Sequence, residues 1–216
     1  MNTTSGDRWI IGVSGASGTV YARRLISALV LGVPGIQLDV VITDAAFRVF
    51  QEEESLFLSQ RNASSEGLLG FPCSQLTFHN NRDIGASIAS GSYATRGMII
   101  VPCSMSTLAA VATGYADNLL RRAADVTMKE HREMIIVPRE TPLSSLHLEH
   151  LLTLSKRGAQ IVPAMPGFYT QPRTVAELVD SFVMRLADHM GYKLNIAPRW
   201  PLEEESISTE EVPLLT

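Results

Sequence analysis

Five short apolar runs, each closed by a glycine, proline or small hydroxyl residue, alternate with helix-length stretches along this chain. They are Trp9–Val13, Leu38–Thr43, Met98–Val101, Met134–Val137 and Gln160–Val162. A strand buried on both faces reads as a near-continuous apolar run, whereas a half-exposed one alternates. The stretches between them, Tyr21–Leu31, Ala45–Glu54, Ser106–Thr113, Asn118–Lys129 and Ser144–Lys156, read as helices, with a last helix over Val175–Met190 capped by Thr174. Strands alternating with helices predict one α/β domain, a three-layer sandwich with a mainly parallel sheet covered on both faces. Such sheets bind ligands beyond the carboxyl ends of their strands.

The segment Ser55–Ser92 is the least regular. It holds Ser64-Ser65, Gly67, Gly70, Asn80-Asn81 and Ala89-Ser-Gly-Ser92, and is expected to serve as a lid or an interface arm. After Trp200 come Glu203-Glu204-Glu205 and Glu210-Glu211, which predict a solvated acidic tail over 201–216 behind a domain over 1–200. At 216 residues the chain suits a single core. A net charge of −4 with no Lys/Arg tract excludes non-specific nucleic-acid binding. No apolar run approaches the roughly 20 residues that span a bilayer. The polar start Met1-Asn-Thr-Thr-Ser-Gly-Asp7 has no signal-peptide core. Cys73 and Cys103 make neither a disulfide framework nor a metal-spaced pair. A reduced, cytoplasmic, soluble protein without metal or membrane partner is expected.

Two segments carry chemistry at strand ends. In Val101-Pro-Cys-Ser-Met-Ser-Thr107 an apolar strand delivers Ser104, Ser106 and Thr107 to a helix start, whose free N–H groups suit an anionic or carbonyl-rich ligand. In Gly12-Val-Ser-Gly-Ala-Ser-Gly18 three glycines let backbone approach a ligand, and the Ser14 and Ser17 hydroxyls are expected to hydrogen-bond to it. The spacing is G-x-x-G-x-x-G rather than a dinucleotide fingerprint, and Thr43-Asp44 is the nearest acidic group to the second strand end. Together the edges suggest a phosphorylated cofactor.

Lys129 ends a helix at a strand start, where it either complements the helix dipole or joins a site. Arg139-Glu140 follows a strand end, and Arg139 has the geometry to fork a phosphate or ring carbonyl. Lys129, Arg139 and Glu140 are expected to form one mixed-charge cluster around a phosphate. Tyr169 is a turn tyrosine or a phenol donor; Arg185 snorkels to solvent or meets an anion; Trp200 packs or offers a π face. His147 and His150 share a helix face without a third ligand nearby, so surface histidines are expected.

From Trp9 to Trp200 the chain resembles the UbiX-type flavin prenyltransferase family. The matching motifs are Gly15-Ala-Ser-Gly18, Ala89-Ser-Gly-Ser92, Val101-Pro-Cys-Ser-Met-Ser-Thr-Leu108, Arg122-Ala-Ala-Asp-Val, Lys129-Glu130 and Val137-Pro-Arg-Glu140. Pro142-Leu-Ser-Ser-Leu-His-Leu-Glu149, Pro166-Gly-Phe-Tyr169 and Pro198-Arg-Trp200 follow in the same order. The resemblance implies a flavodoxin-like, Rossmann-like single domain, a homododecamer, and transfer of a dimethylallyl group from dimethylallyl phosphate to N5 and then C6 of reduced FMN. It implies no metal, and prenylated FMN as a product serving a UbiD-type decarboxylase. It matches Gly15, Ala16, Ser17, Thr43, Ser104, Met105, Ser106, Thr107 and Arg139 to flavin-binding positions. Ala89, Ser90, Lys129, Glu140, Tyr169 and Arg185 match phosphate-holding positions, Glu53 the acid near N5 (with Glu52 and Glu54 as neighbours in register), and Trp200 the aromatic near the prenyl group. Ser17, Glu53, Lys129, Glu140 and Trp200 are the expected catalytic residues. The rival expectations are an FMN-dependent cysteine decarboxylase, weakened because no histidine precedes His79, and a non-catalytic FMN carrier.

Overall fold

All seven residues of the strand Gly97–Cys103 are buried, which makes it the centre of the molecule. The computed structural model describes residues 7–200. In chain order it contains β1 (Arg8–Val13), α1 (Thr19–Gly32), β2 (Gln37–Ile42), α2 (Asp44–Glu54), α3 (Ser65–Leu69) and β3 (Leu76–His79). A 3₁₀ turn at Ser87–Ala89 precedes β4 (Gly97–Cys103), α4 (Met105–Thr113), α5 (Leu119–Lys129), β5 (Glu133–Pro138), α6 (Ser145–Lys156), β6 (Gln160–Ile161) and α7 (Val175–His189). The acidic tail expected over 201–216 lies outside the described residues.

The six strands form one sheet in the order β3-β2-β1-β4-β5-β6, and every pairing is parallel. Successive side chains of a strand point to opposite faces, so the apolar runs feed two cores. Trp9, Ile11 and Val13 pack with Leu25 and Leu29 of α1 and with Val183 and Leu186 of α7. Ile10 and Ile100 pack on the other face with Leu108 of α4 and Leu120 of α5. The expected three-layer α/β domain is present.

The helices begin where hydroxyl or amide side chains cap them. Thr43, Ser104, Asn118, Ser144 and Thr174 each accept a backbone N–H from the first turn. His147 completes a reciprocal cap at α6 with Ser144. α1 is the exception: its N-cap is Gly18, at φ 102°, with no side chain to offer.

Two elements depart from the expected layout. The irregular segment Ser55–Ser92 contains α3 and an edge strand, β3, paired only with β2. β4 runs past Pro102 to Cys103 rather than stopping at Val101, with a shift of register between Ile100 and Cys103. A proline has no N–H for the ladder, and an irregular pairing is where a sheet tolerates one.

Candidate active site

β1 leads through α1 to β2 on one side, while β4 and β5 extend the sheet on the other. The gap between the carboxyl ends of β1 and β4 is therefore the point where strand order reverses. Ser14 closes that gap from below. It is fully buried; its hydroxyl accepts the Ser104 N–H at 2.7 Å and donates to the Pro102 carbonyl at 3.1 Å. The Ser14 hydroxyl is thus spent on joining the two edges, not on a ligand as expected. Gly15 lies so near the start of α2 that an added Cβ would sit 2.5 Å from the Ala45 Cβ.

Above this joint the two edges differ in what they expose. Ala16, Met105 and Thr107 are buried, with Met105 in the core beneath α4, so Met105 contributes backbone to the edge rather than its side chain. The Ser104 hydroxyl donates to Thr107 Oγ1 at 3.1 Å and lies 3.3 Å from Ser106 Oγ. Ser17 and Ser106 are exposed. The first N–H groups of α4 have no carbonyl partner within the helix. Thr43 accepts the Ala46 N–H at 3.2 Å, leaving its own O–H free to donate outward.

α2 brings three consecutive glutamates to this region and sends each elsewhere. Glu52 pairs with Arg48 along its own helix at 2.8 Å. Glu54 pairs with Arg23 at 3.1 Å and accepts the Thr19 hydroxyl at 2.9 Å. Glu53 turns to the β1–α1 loop, accepts the Gly18 N–H at 2.9 Å and the Thr19 N–H at 3.3 Å, and lies 3.2 Å from the Thr19 hydroxyl that it shares with Glu54. Partial burial pushes the Glu53 carboxyl up, but hydrogen bonds from Ser17, Gly18 and Thr19 outweigh it and hold the pKa below the usual value. Glu53 therefore supplies the cap that Gly18 lacks, as an ionised carboxylate at a helix N-terminus.

Arg139, just past β5, donates from Nε to the Ser17 carbonyl at 3.2 Å and bridges the same gap from the far side. Glu140 is exposed, its carboxylate held by the Thr141 N–H at 3.0 Å. In the loop beyond β6, Tyr169 meets Trp200 edge to face with ring centres 6.3 Å apart; both are more than half exposed.

The remaining expected residues do not join this edge. Lys129 ends α5 before β5 begins, whereas Arg139 and Glu140 follow its end. Six residues of strand separate them by roughly 20 Å. The single mixed-charge cluster expected of Lys129, Arg139 and Glu140 is therefore not formed within one chain. Ala89 and Ser90 precede β4 on the Lys129 side, where Ser90 Oγ lies 2.8 Å from Ser92 Oγ and the Lys129 ammonium pairs with Glu130. Arg185 is exposed on α7, 3.6 Å from Asp188, and α7 covers the sheet face opposite to α5. Lys129 and Arg185 lie on opposite faces.

One polar group escaped the sequence reading. Asp39 is fully buried in β2 and meets His79 at 2.6 Å, the Tyr93 hydroxyl at 3.1 Å and Arg8 at 3.2 Å. Four of the other five residues of β2 are apolar, so nothing local marks it as a hub; its partners come from three distant segments.

The Flavoprotein family profile matches residues 2–187. A flavin prenyltransferase UbiX of Halalkalibacterium halodurans is 44% identical over 200 residues, which is 93% of this chain and 96% of the relative. The crystal structure of a dodecameric FMN-dependent UbiX-like decarboxylase from Escherichia coli O157:H7 superposes with a TM-score of 0.80 at 41% identity, over 89% of this chain and 98% of that one. A UbiX protein solved in complex with FMN and dimethylallyl pyrophosphate superposes with a TM-score of 0.81 at 33% identity, over 92% and 99%. The chain belongs to the flavoprotein family and, within it, to the UbiX-type flavin prenyltransferases.

Proposed function

We propose that this chain joins the dimethylallyl group of dimethylallyl phosphate to reduced FMN, at N5 and then C6, and releases prenylated FMN for a UbiD-type decarboxylase. The working form is a homo-oligomer of the dodecameric kind found in the relative from Escherichia coli. The observation that carries this reading is the division of the site. Ser17, Ser106 and Arg139 lie at the carboxyl end of the sheet and Ser90 and Lys129 at the other, a separation that a homo-oligomer would close by setting one copy's Lys129 over another's Arg139 and Glu140. A non-catalytic flavin carrier would have no use for this second, phosphate-directed set. A cysteine decarboxylase of the histidine-dependent kind would need an imidazole at the first edge, and Ser14–Gly18 contains none.

The edge fits FMN by the chemistry of its donors. The exposed Ser17 and Ser106 hydroxyls, the Thr43 O–H, the first N–H groups of α4 and the Arg139 guanidinium are all donors. They suit a ligand rich in carbonyl, ring-nitrogen and phosphate acceptors. Gly15 has no room for a Cβ beside Ala45, and the Ala16 N–H closes the turn onto the Ser14 carbonyl at 2.8 Å, so these two residues shape the loop that presents Ser17. When bound, reduced FMN supplies the nucleophilic ring atoms.

The chain's residues then have distinct tasks. Lys129, Arg185 and the Tyr169 hydroxyl neutralise the departing phosphate, which otherwise leaves poorly. Ala89 and Ser90 seat it. Glu140 orients the phosphate among these cations and passes on to it a proton released from the reacting flavin. The Trp200 ring presents a π face to positive charge developing on the allyl group. Ser17 Oγ, which helps hold the Glu53 pKa down and is exposed, passes the N5 proton on to solvent. The lowered pKa of Glu53 makes it a weak base, so it holds Ser17 in place rather than storing the proton.

No helix among the described residues is long and apolar enough to cross a membrane. A reducing cytoplasm suits both a reduced flavin and the free thiols of Cys73 and Cys103. The reading is tested by anaerobic incubation of the protein with reduced FMN and dimethylallyl phosphate, followed by mass spectrometry of the flavin. A gain of one five-carbon unit is expected, and unmodified FMN would refute the transferase.

A further inference from the structure

We propose that Arg132 is a positioning residue that fixes the Ser90–Ser92 loop beside the Lys129 ammonium, so that the two form one anion-binding arm for the allylic phosphate. The inference rests on the reading above that Ser90 and Lys129 hold that phosphate.

The Ser90–Ser92 loop has few bonds of its own. The Ser90 and Tyr93 N–H groups make short turns to Ser87 and Ser90, and the two serine hydroxyls meet each other. Its position is set from outside. The Arg132 guanidinium donates to the Gly91 carbonyl at 2.5 Å, the Tyr93 carbonyl at 2.8 Å and Thr95 Oγ1 at 3.1 Å. Arg132 follows Lys129 by three residues, and its backbone N–H is fixed to the Thr127 carbonyl at 3.0 Å. One side chain therefore ties the loop to the end of α5 that bears Lys129. The fit is close: a Cβ added at Gly91 would sit 3.0 Å from Lys129 Nζ and closer still to the Glu130 carboxylate.

A second anchor holds the other side of the loop. The Tyr93 hydroxyl accepts from Arg8 at 2.8 Å and donates to the buried Asp39 at 3.1 Å. Tyr93 is thus pinned at its ring by Asp39 and at its carbonyl by Arg132. A planar fork with several N–H groups spans three acceptors, while a lysine ammonium is a point donor that cannot reproduce the span.

The test is steady-state prenylation with Arg132→Gln, Arg132→Lys, Ser90→Ala and the Arg132→Gln/Ser90→Ala double variant, together with FMN affinity and Tm for each. Arg132→Gln is expected to raise KM for dimethylallyl phosphate about tenfold, with kcat and FMN affinity changed by less than about twofold. Arg132→Lys is expected to fall between it and the wild type. The double variant should be no worse than Arg132→Gln alone, because Ser90 in a displaced loop has nothing left to lose. A wild-type KM in Arg132→Gln, or a parallel loss of Tm, FMN affinity and kcat, overturns the proposal. If Ser90→Ala raises KM and Arg132→Gln does not, the positioning role alone fails; if Ser90→Ala leaves KM unchanged, the phosphate reading of the loop fails and takes this inference with it. Should Arg132→Gln not assemble, Arg132→Lys decides: a raised KM at unchanged Tm supports the role, and a wild-type KM overturns it.

Discussion

The Ser14 hydroxyl takes the Ser104 N–H at 2.7 Å, and this one bond joins the two loops that form the carboxyl edge of the sheet. Ser14 also donates from its N–H and its hydroxyl to the Pro102 carbonyl, at 3.2 and 3.1 Å. The relative placement of Ser17 on one loop and Ser106 on the other depends on a fully buried side chain whose hydroxyl is engaged by the protein itself.

Ser14→Ala leaves the half-buried Ser104 N–H without its partner. A loss of about 1–3 kcal/mol in stability is expected, read by urea unfolding, together with weaker FMN binding read by fluorescence titration. Unchanged stability would mean that water or a rearranged loop satisfies the Ser104 N–H.

Glu53 gives a pH signature. Its folded-state pKa is below the ordinary 4.5, so its contribution to stability is present above that value and is lost as pH falls through the lowered one. Glu53→Gln should lower Tm by a constant amount above about pH 6, and the gap to wild type should narrow below 4.5. A gap independent of pH down to the acid transition would show that the charge of Glu53 does not matter.

Among the described residues Glu140 is held by its neighbouring Thr141 N–H alone, and it is exposed, so its replacement leaves the fold alone. Glu140→Gln is expected to slow prenyl transfer by on the order of 100-fold, followed by anaerobic absorbance, with FMN affinity nearly intact. Wild-type rates of prenylated-flavin formation would remove Glu140 from the reaction.

Burial pushes the Cys103 thiol up to about 12, and Tyr192 likewise rises to about 12, chiefly by burial and then through Asp7. Groups whose pKa is raised on folding stabilise below their unfolded values and lose that contribution as pH rises toward the folded ones. Stability should therefore decline from pH 9 upward, read by urea unfolding. In the native protein at neutral pH iodoacetamide should label the half-buried Cys73 and spare Cys103; labelling of both would show that the core around β4 opens readily.

Much of this architecture was legible because burial on both faces leaves a plain trace. Trp9–Val13 and Met134–Val137 read as strands since neither face admits a polar residue, and Thr174 marked a helix start by its capping chemistry, whereas the caps at Thr43 and Ser104 emerged only from the structure. β3 was not legible: Leu76-Thr-Phe-His has one neighbour strand and an exposed Thr77, so it carries no strong pattern. The end of β4 was misread because Pro102 ordinarily stops a central strand. Within the site, glycines and hydroxyls pointed to both loops of the carboxyl edge. Which serine faces outward was hidden, since Ser14 and Ser17 look alike until tertiary contacts separate them. The proximity of Lys129 to Arg139 in sequence misled for a simpler reason: a strand lies between them.

Subunit complementation tests the central claim most directly, because it asks whether the two ends of the sheet meet across chains. Lys129→Ala and Glu140→Ala chains, each inactive alone, are dissociated, mixed and reassembled, and prenylated FMN is then counted by mass spectrometry. If one chain's Lys129 serves another chain's Glu140, the mixture regains activity at those junctions where both partners are intact. A mixed assembly as inactive as its parents would contradict a shared site.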